Sequence, residues 1–245
     1  MQEFKILTYN IHSGIGRDKV YRLDRIIEVL RKENPDIIAL QEVDKNLRKS
    51  NRDDQSRIVA DELRMDYFFC VNRITERGEY GISTFSRFPI LNRQKYNLSY
   101  GSDIEPRGIS RVDLEIDGGK LHIYNVHLGL GVRERKYQRR LMLSESILLD
   151  QAATDPKVVL GDFNDRVFSV VHGQLRNHFV DAFQYKKARH GATFRWGPLK
   201  MRLDHIYVSD NLQPVDSYVS RFPLVKMASD HRPLVAVIQV KNKTR

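Results

Sequence analysis

The chain has 245 residues, 41% of them hydrophobic and 29% charged, and Lys+Arg 41 against Asp+Glu 31 leaves a net charge of +10. This composition excludes a disordered chain and a disulfide-stapled one: a core of this size needs no staples, and the single cysteine, Cys70, has no partner within the chain. No run approaches the roughly 18 apolar residues of a membrane span, and the first residues carry no basic-then-apolar leader, so a cytoplasmic protein without integral membrane segments is expected.

Apolar runs rich in strand formers recur along the chain: Phe4–Ile11, Ile37–Val43, Tyr67–Ile74, Gly81–Phe85, Ile109–Ile116, Leu121–Leu128, Lys157–Leu160, Leu203–Val208 and Leu234–Val240. Leu23, Ile26, Ile27 and Leu30 repeat at helical spacing before Asn34-Pro35 closes the segment. Ile58, Val59, Glu62 and Leu63 predict a second helix. A third is predicted from about Val132 to Gln151, with Leu141, Ser144, Ile147 and Leu148 on its apolar face and five basic residues in its first half. Asp117-Gly118-Gly119, between two strand runs, signals a hairpin, because these residues tolerate positive φ. Antiparallel hairpins mixed with helices argue against a purely parallel sheet and for mixed sheets covered by helices. With no linker, repeat or break in composition, residues 1–245 read as one domain, expected to be a monomer.

Run after run ends on a side chain that can bind metal or move a proton. The six places are Asn10, Gln41-Glu42, His127, Asp162-Phe163-Asn164, Asp204-His205 and Asp230-His231. One such residue is ordinarily a turn or helix cap. Six at strand ends are not explained by capping, and one edge of a sheet is where ligands commonly bind. An inventory rich in oxygen donors, with two histidines and no cysteine cluster, suits Mg²⁺ or Mn²⁺ better than structural zinc.

At these positions the sequence resembles the endonuclease/exonuclease/phosphatase superfamily. Its landmarks follow in order: Thr8-Tyr9-Asn10-Ile11-His12, Gln41-Glu42-Val43-Asp44, Tyr80-Gly81 with Ser86-Arg87-Phe88-Pro89-Ile90, and Asn125-Val126-His127-Leu128. Then come Gly161-Asp162-Phe163-Asn164, Arg202-Leu203-Asp204-His205 and Ser229-Asp230-His231. The resemblance implies a four-layer α/β sandwich of the α+β kind, two mixed sheets face to face with helices outside. It further implies that Glu42, Asn10 and Asp230 hold a Mg²⁺ or Mn²⁺ ion against a phosphate oxygen. By the same resemblance Asp162 orients or deprotonates the attacking water or holds a second metal, and Asn164 donates to a phosphoryl oxygen. His231, steered by Asp204, serves as base or charged clamp, and His127 stabilises developing charge. Tyr80 and Arg107 match positions that contact phosphate. His12, His205 and Asp44 fall outside this set. His205 is expected to face away from Asp204, since strand neighbours point to opposite faces.

The family chemistry leaves the substrate open. Net charge, the Arg133–Arg140 half-helix and the run from Lys45 to Arg52, just after Glu42, favour a nuclease acting on DNA. The alternative is a phospholipid or sphingolipid phosphodiesterase on an anionic lipid surface. It would need an apolar rim, for which Phe179, Phe183, Phe194, Trp196 and Leu199 are the candidates. A catalytically silent binding module is a third class, opposed by the intact polar set.

Overall fold

The computed structural model describes residues 3–166, 169–183 and 191–241, with the side chain of Trp196 outside the description. The order in the chain is β1 (Glu3–Asn10), α1 (Leu23–Glu33), β2 (Ile37–Lys45), α2 (Gln55–Leu63), β3 (Asp66–Thr75), β4 (Gly78–Ser86), β5 (Ile90–Asn97), β6 (Gly108–Ile116) and β7 (Gly119–His127). There follow α3 (Val132–Met142), β8 (Lys157–Asp162), α4 (Val170–Leu175), β9 (Val180–Asp181), β10 (Phe194–Trp196), β11 (Leu199–Met201), β12 (Asp204–Val208), β13 (Leu212–Val219), α5 (Val225–Ala228) and β14 (Leu234–Val240). Two mixed six-stranded sheets result, one ordered β13-β14-β1-β2-β4-β3 and the other β5-β6-β7-β8-β12-β9, with β10-β11 as a separate two-stranded hairpin.

Strand alternation sorts the side chains into layers. On β1, Phe4 and Ile6 enter the core between the sheets, while Leu7 and Tyr9 turn outward beneath α1. On β7 and β8, Leu121, Ile123, Val158 and Leu160 join the inter-sheet core, and Tyr124, Val126 and Val159 face outward to pack with Met142 and Leu175. Helices therefore cover both outer faces, which makes the four-layer sandwich. The inter-sheet layer turns polar near one end, where Gln41 Nε2 donates to Asn125 Oδ1 at 2.8 Å and Asn125 Nδ2 donates to the carbonyls of Leu40 and Ser83. These bonds tie the two sheets together directly beneath the strand ends that carry the candidate site.

The β6–β7 hairpin turns as expected, with Asp117 and Gly118 both at positive φ and Ile116 paired with Gly119. The third helix is shorter than its periodicity implies. It stops at Met142, and Ser144 to Leu149 continue as turns that bring Ile147 and Leu148 to the core by another route. Strands β5 and β13 have no apolar run to announce them. Both are sheet edges; β5 is almost wholly exposed, and β13 carries Pro214 at a bulge, which an edge strand tolerates because its outward N–H has no ladder partner.

Candidate active site

The alternation that builds the inter-sheet core also delivers the polar residues. Ile6, Thr8 and Asn10 share a face of β1; Ile123, Asn125 and His127 share one on β7; Val158, Leu160 and Asp162 share one on β8. Strands β1 and β2 run parallel, as do β7 and β8, so Asn10, Glu42, His127 and Asp162 emerge at one end. Strand β12 is antiparallel to β8, and its first residue, Asp204, pairs with Asp162. Asp230 and His231 arrive from the loop before β14. Glu42 sits at a bulge between Gln41 and Val43 with φ +56, which turns its carboxylate toward the cleft while Gln41 keeps its place between the sheets. A non-glycine residue at positive φ is strained, and here the strain aims the side chain at the site.

Asp162 is the point of convergence. Its Oδ1 accepts from the Asn164 backbone N–H at 2.8 Å, which orients the carboxylate. Its Oδ2 accepts from Asn10 Nδ2 at 3.0 Å and lies 3.6 Å from His231 Nε2 and 3.8 Å from His127 Nε2. Burial raises the Asp162 pKa far above the ordinary carboxylate range, and the His231 charge opposes that rise. Burial works against charging His231, but Asp204, whose Oδ2 is 2.8 Å from His231 Nδ1, together with Asp162 more than compensates, and the His231 pKa is well above that of free histidine. His231 is therefore an imidazolium at neutral pH with its Nε2–H toward Asp162.

His127 has the opposite character. Its Nδ1 is 3.0 Å from Arg107 Nη1, and a guanidinium only donates, so Nδ1 accepts and the ring proton resides on Nε2. Burial, Arg107 and His231 all hold its pKa well below the usual value. Neutral His127 thus presents an Nε2–H donor to the cleft, 3.8 Å from Asp162 and 4.0 Å from Glu42. Asn10 is buried; its Nδ2 also donates to Glu42 Oε1 at 2.9 Å and its Oδ1 accepts from the His12 N–H, so it holds Glu42 and Asp162 in mutual register. Asn164, at φ +48, spends one amide hydrogen on the Leu128 carbonyl and keeps the other. Tyr80 is buried, its phenol pKa raised by burial and by Glu42, under the cations of Lys49 and Arg73, each 5.3 Å from its ring centre. His205 faces away from Asp204, into the outer layer, where its ring centre lies 3.8 Å from that of His172 with the planes tilted by 34°.

The cleft encloses about 980 Å³. Lys49, Arg73 and Arg107 line it on one side, both arginines paired with Glu105 at 3.4 and 2.8 Å, and Leu130, Phe194, Met201 and Leu203 add apolar lining. Arg73 and Glu105 have no motif to mark them; they join the cleft, with Arg135 of the basic half-helix, from β3, the β5–β6 connection and the start of α3. The basic runs divide on folding. Lys49 pairs with buried Asp44 at 3.4 Å and Lys45 with Glu79 at 3.3 Å, whereas Arg48 and Arg52 line a neighbouring hollow with Arg77. Arg135 donates to the Gly129 carbonyl and lies 3.5 Å from Asp165. Of the candidate rim aromatics, Phe179 and Phe183 are buried, and Phe194 packs on His231 with ring centres 4.9 Å apart.

Glu42 and Asp230 bring carboxylates to the cleft, beside Asp162. An all-oxygen set with partly exposed lone pairs fits a hard divalent ion. Asp162, Asp204 and His231 also gather ligand atoms within 4.8 Å of one another, but His231 Nδ1 is engaged by Asp204, which makes that pair an oriented acid–imidazole couple.

A sandwich with carboxylates, amides and two histidines gathered at one end of both sheets is the arrangement of a family of phosphoesterase hydrolases. The chain belongs to the endonuclease/exonuclease/phosphatase family, whose sequence model matches residues 7–231. The uncharacterized protein YbhP of Escherichia coli strain K12 is 30% identical over 252 residues, covering 97% of this chain and 96% of that one. An endonuclease/exonuclease/phosphatase structure from Bacteroides vulgatus superposes with a TM-score of 0.82 at 18% identity over 98% of this chain and all of that one. A mannosyl-6-phosphatase of Bacteroides thetaiotaomicron does so at 0.76 and 20%, covering 96% and 99%. The human Nocturnin catalytic domain with bound sulfate also gives 0.76 and 20%, covering 98% and 94%.

Proposed function

We propose that the protein hydrolyses phosphodiester bonds of DNA with Mg²⁺ or Mn²⁺ held by Glu42 and Asp230. The observation that carries the choice of DNA is the presence of Lys49, Arg73 and Arg107 in the cleft, beside a hollow lined by Arg48, Arg52 and Arg77. Such a track suits successive phosphates of a strand. The bound ion would supply charge neutralisation at a phosphoryl oxygen. His231, charged and steered by Asp204, clamps a second phosphoryl oxygen. Asp162, its pKa raised by burial, takes a proton from the attacking water. The Nε2–H of His127 and the free amide hydrogen of Asn164 donate to oxygens that gain charge as the bond breaks.

A second reading is favoured by one observation: Leu130, 75% exposed, lines the cleft, and Val132, 61% exposed, follows two residues later. An apolar lip of this kind suits a lipid phosphodiester at an anionic surface. One substrate panel separates the two: single-stranded and duplex DNA, RNA, a sphingomyelin-type lipid and an inositol polyphosphate, each with and without EDTA. DNA cleavage that EDTA abolishes is expected; lipid turnover with nucleic acid untouched overturns the DNA reading.

A further inference from the structure

The β10–β11 hairpin has two faces, and only one belongs to the cleft. Its register pairs Phe194 with Met201 and Arg195 with Lys200. Phe194 and Met201 line the catalytic cleft; Arg195 and Lys200 line a separate cavity of about 610 Å³ on the other side. Arg202, Arg221, Lys226 and Arg232 complete its walls, and among the described residues that line it there is no carboxylate. Of the six cations, only Arg202 has a carboxylate partner among the described residues, Asp181, with Nη1 3.3 Å from its Oδ1. The Nε–H of Arg195 is buried with no hydrogen-bond acceptor.

Among the described residues, folding has therefore collected five cations with no carboxylate partner around one concavity, an arrangement that favours the entry of an anion. Arginine forks match the tetrahedral oxygens of phosphate. We propose that this cavity is a second, non-catalytic anion site that takes a phosphate or pyrophosphate group. The site is mechanically close to the chemistry. Arg232 directly follows His231 and its N–H donates to the Thr193 carbonyl at 2.7 Å, while the Thr193 hydroxyl accepts from the N–H groups of Leu203 and Asp204. Phe194 itself forms a bridge pair with His231. An anion held by Arg195 and Arg232 thus braces the backbone that positions the Asp204–His231 couple. The inference goes beyond the DNA reading and holds whichever phosphodiester the cleft cleaves.

The test is calorimetric titration of inorganic pyrophosphate into metal-free protein, with Lys200→Glu/Lys226→Glu for the new site and Arg107→Ala for the cleft. Lys200 and Lys226 are exposed, so the double variant keeps its fold, checked by its unfolding midpoint. We expect one binding equivalent to be lost, or weakened at least tenfold, in the double variant, and to persist in Arg107→Ala. Binding in the double variant with wild-type stoichiometry and affinity overturns the proposal. So does tungstate-soaked crystal density confined to the cleft. A short oligonucleotide competing for that equivalent assigns the phosphate to a nucleic-acid strand; no competition assigns it to a free anion.

Discussion

Asp162 Oδ2 answers to one amide and two imidazoles at once, and the two rings differ in charge because their other nitrogens face different partners. Burial and Arg107 keep His127 neutral, and Asp204 with Asp162 keeps His231 charged despite burial. Replacing Asp162 with Asn, or His231 with Ala, is expected to lower kcat by about 100-fold or more, with the unfolding midpoint little changed, read from steady-state rates beside thermal melts. Asp204→Asn removes the charge that raises the His231 pKa. The imidazole should then titrate at lower pH, visible in an NMR titration of metal-free protein. The basic limb of the pH–rate profile should move down with it, since the proposed phosphate clamp requires a protonated His231. An unmoved His231 pKa would remove Asp204 from this role. Most of these residues were legible in the sequence, because a polar residue after an apolar run is costly unless it has work to do. The tautomer of His127 was not, since it depends on Arg107 from the connection before β6.

Strands supply the register that makes the cleft possible. At Gly161, with φ +146, a Cβ would lie 1.9 Å from the Val126 carbonyl oxygen, so β7 and β8 approach as they do only because no side chain intervenes. Gly161→Ala is expected to destabilise by about 3 kcal/mol or more, measured as a fall in the urea midpoint, and to cost activity by separating His127 from Asp162. Interior strands announced themselves through continuous apolar runs. The edge strands β5 and β13 did not, because an edge needs no second buried face. The third helix was overextended because Ile147 and Leu148 keep helical spacing while reaching the core through turns. The bulge at Glu42 also had no sign in the local sequence; it exists to reconcile Gln41 facing Asn125 with Glu42 facing the cleft.

For the molecule as a whole, buried neutral histidines set an acid limit. Burial lowers the pKa of His172 to about 4 and pushes those of His205 and His127 well below 6.5. With folded values depressed, their contribution to stability is intact above about 6.5 and lost as pH falls, on the order of 3 kcal/mol from His172 by pH 4. Urea midpoints measured between pH 7.5 and 4.5 should decline ahead of carboxylate protonation, and less so in His172→Phe. Net charge acts at this scale too: DNA affinity should fall steeply between low and physiological salt, and a flat salt response would contradict backbone tracking. The order β13-β14-β1 has a further consequence for biosynthesis. Strand β1 leaves the ribosome long before its neighbour β14, and His231 emerges only slightly ahead of β14. Until β14 emerges, a nascent chain therefore carries an unpaired β1 edge and an incomplete candidate site. The candidate site is complete only when Leu234–Val240 slots between the first strand and β13 and the loop before it brings in Asp230 and His231.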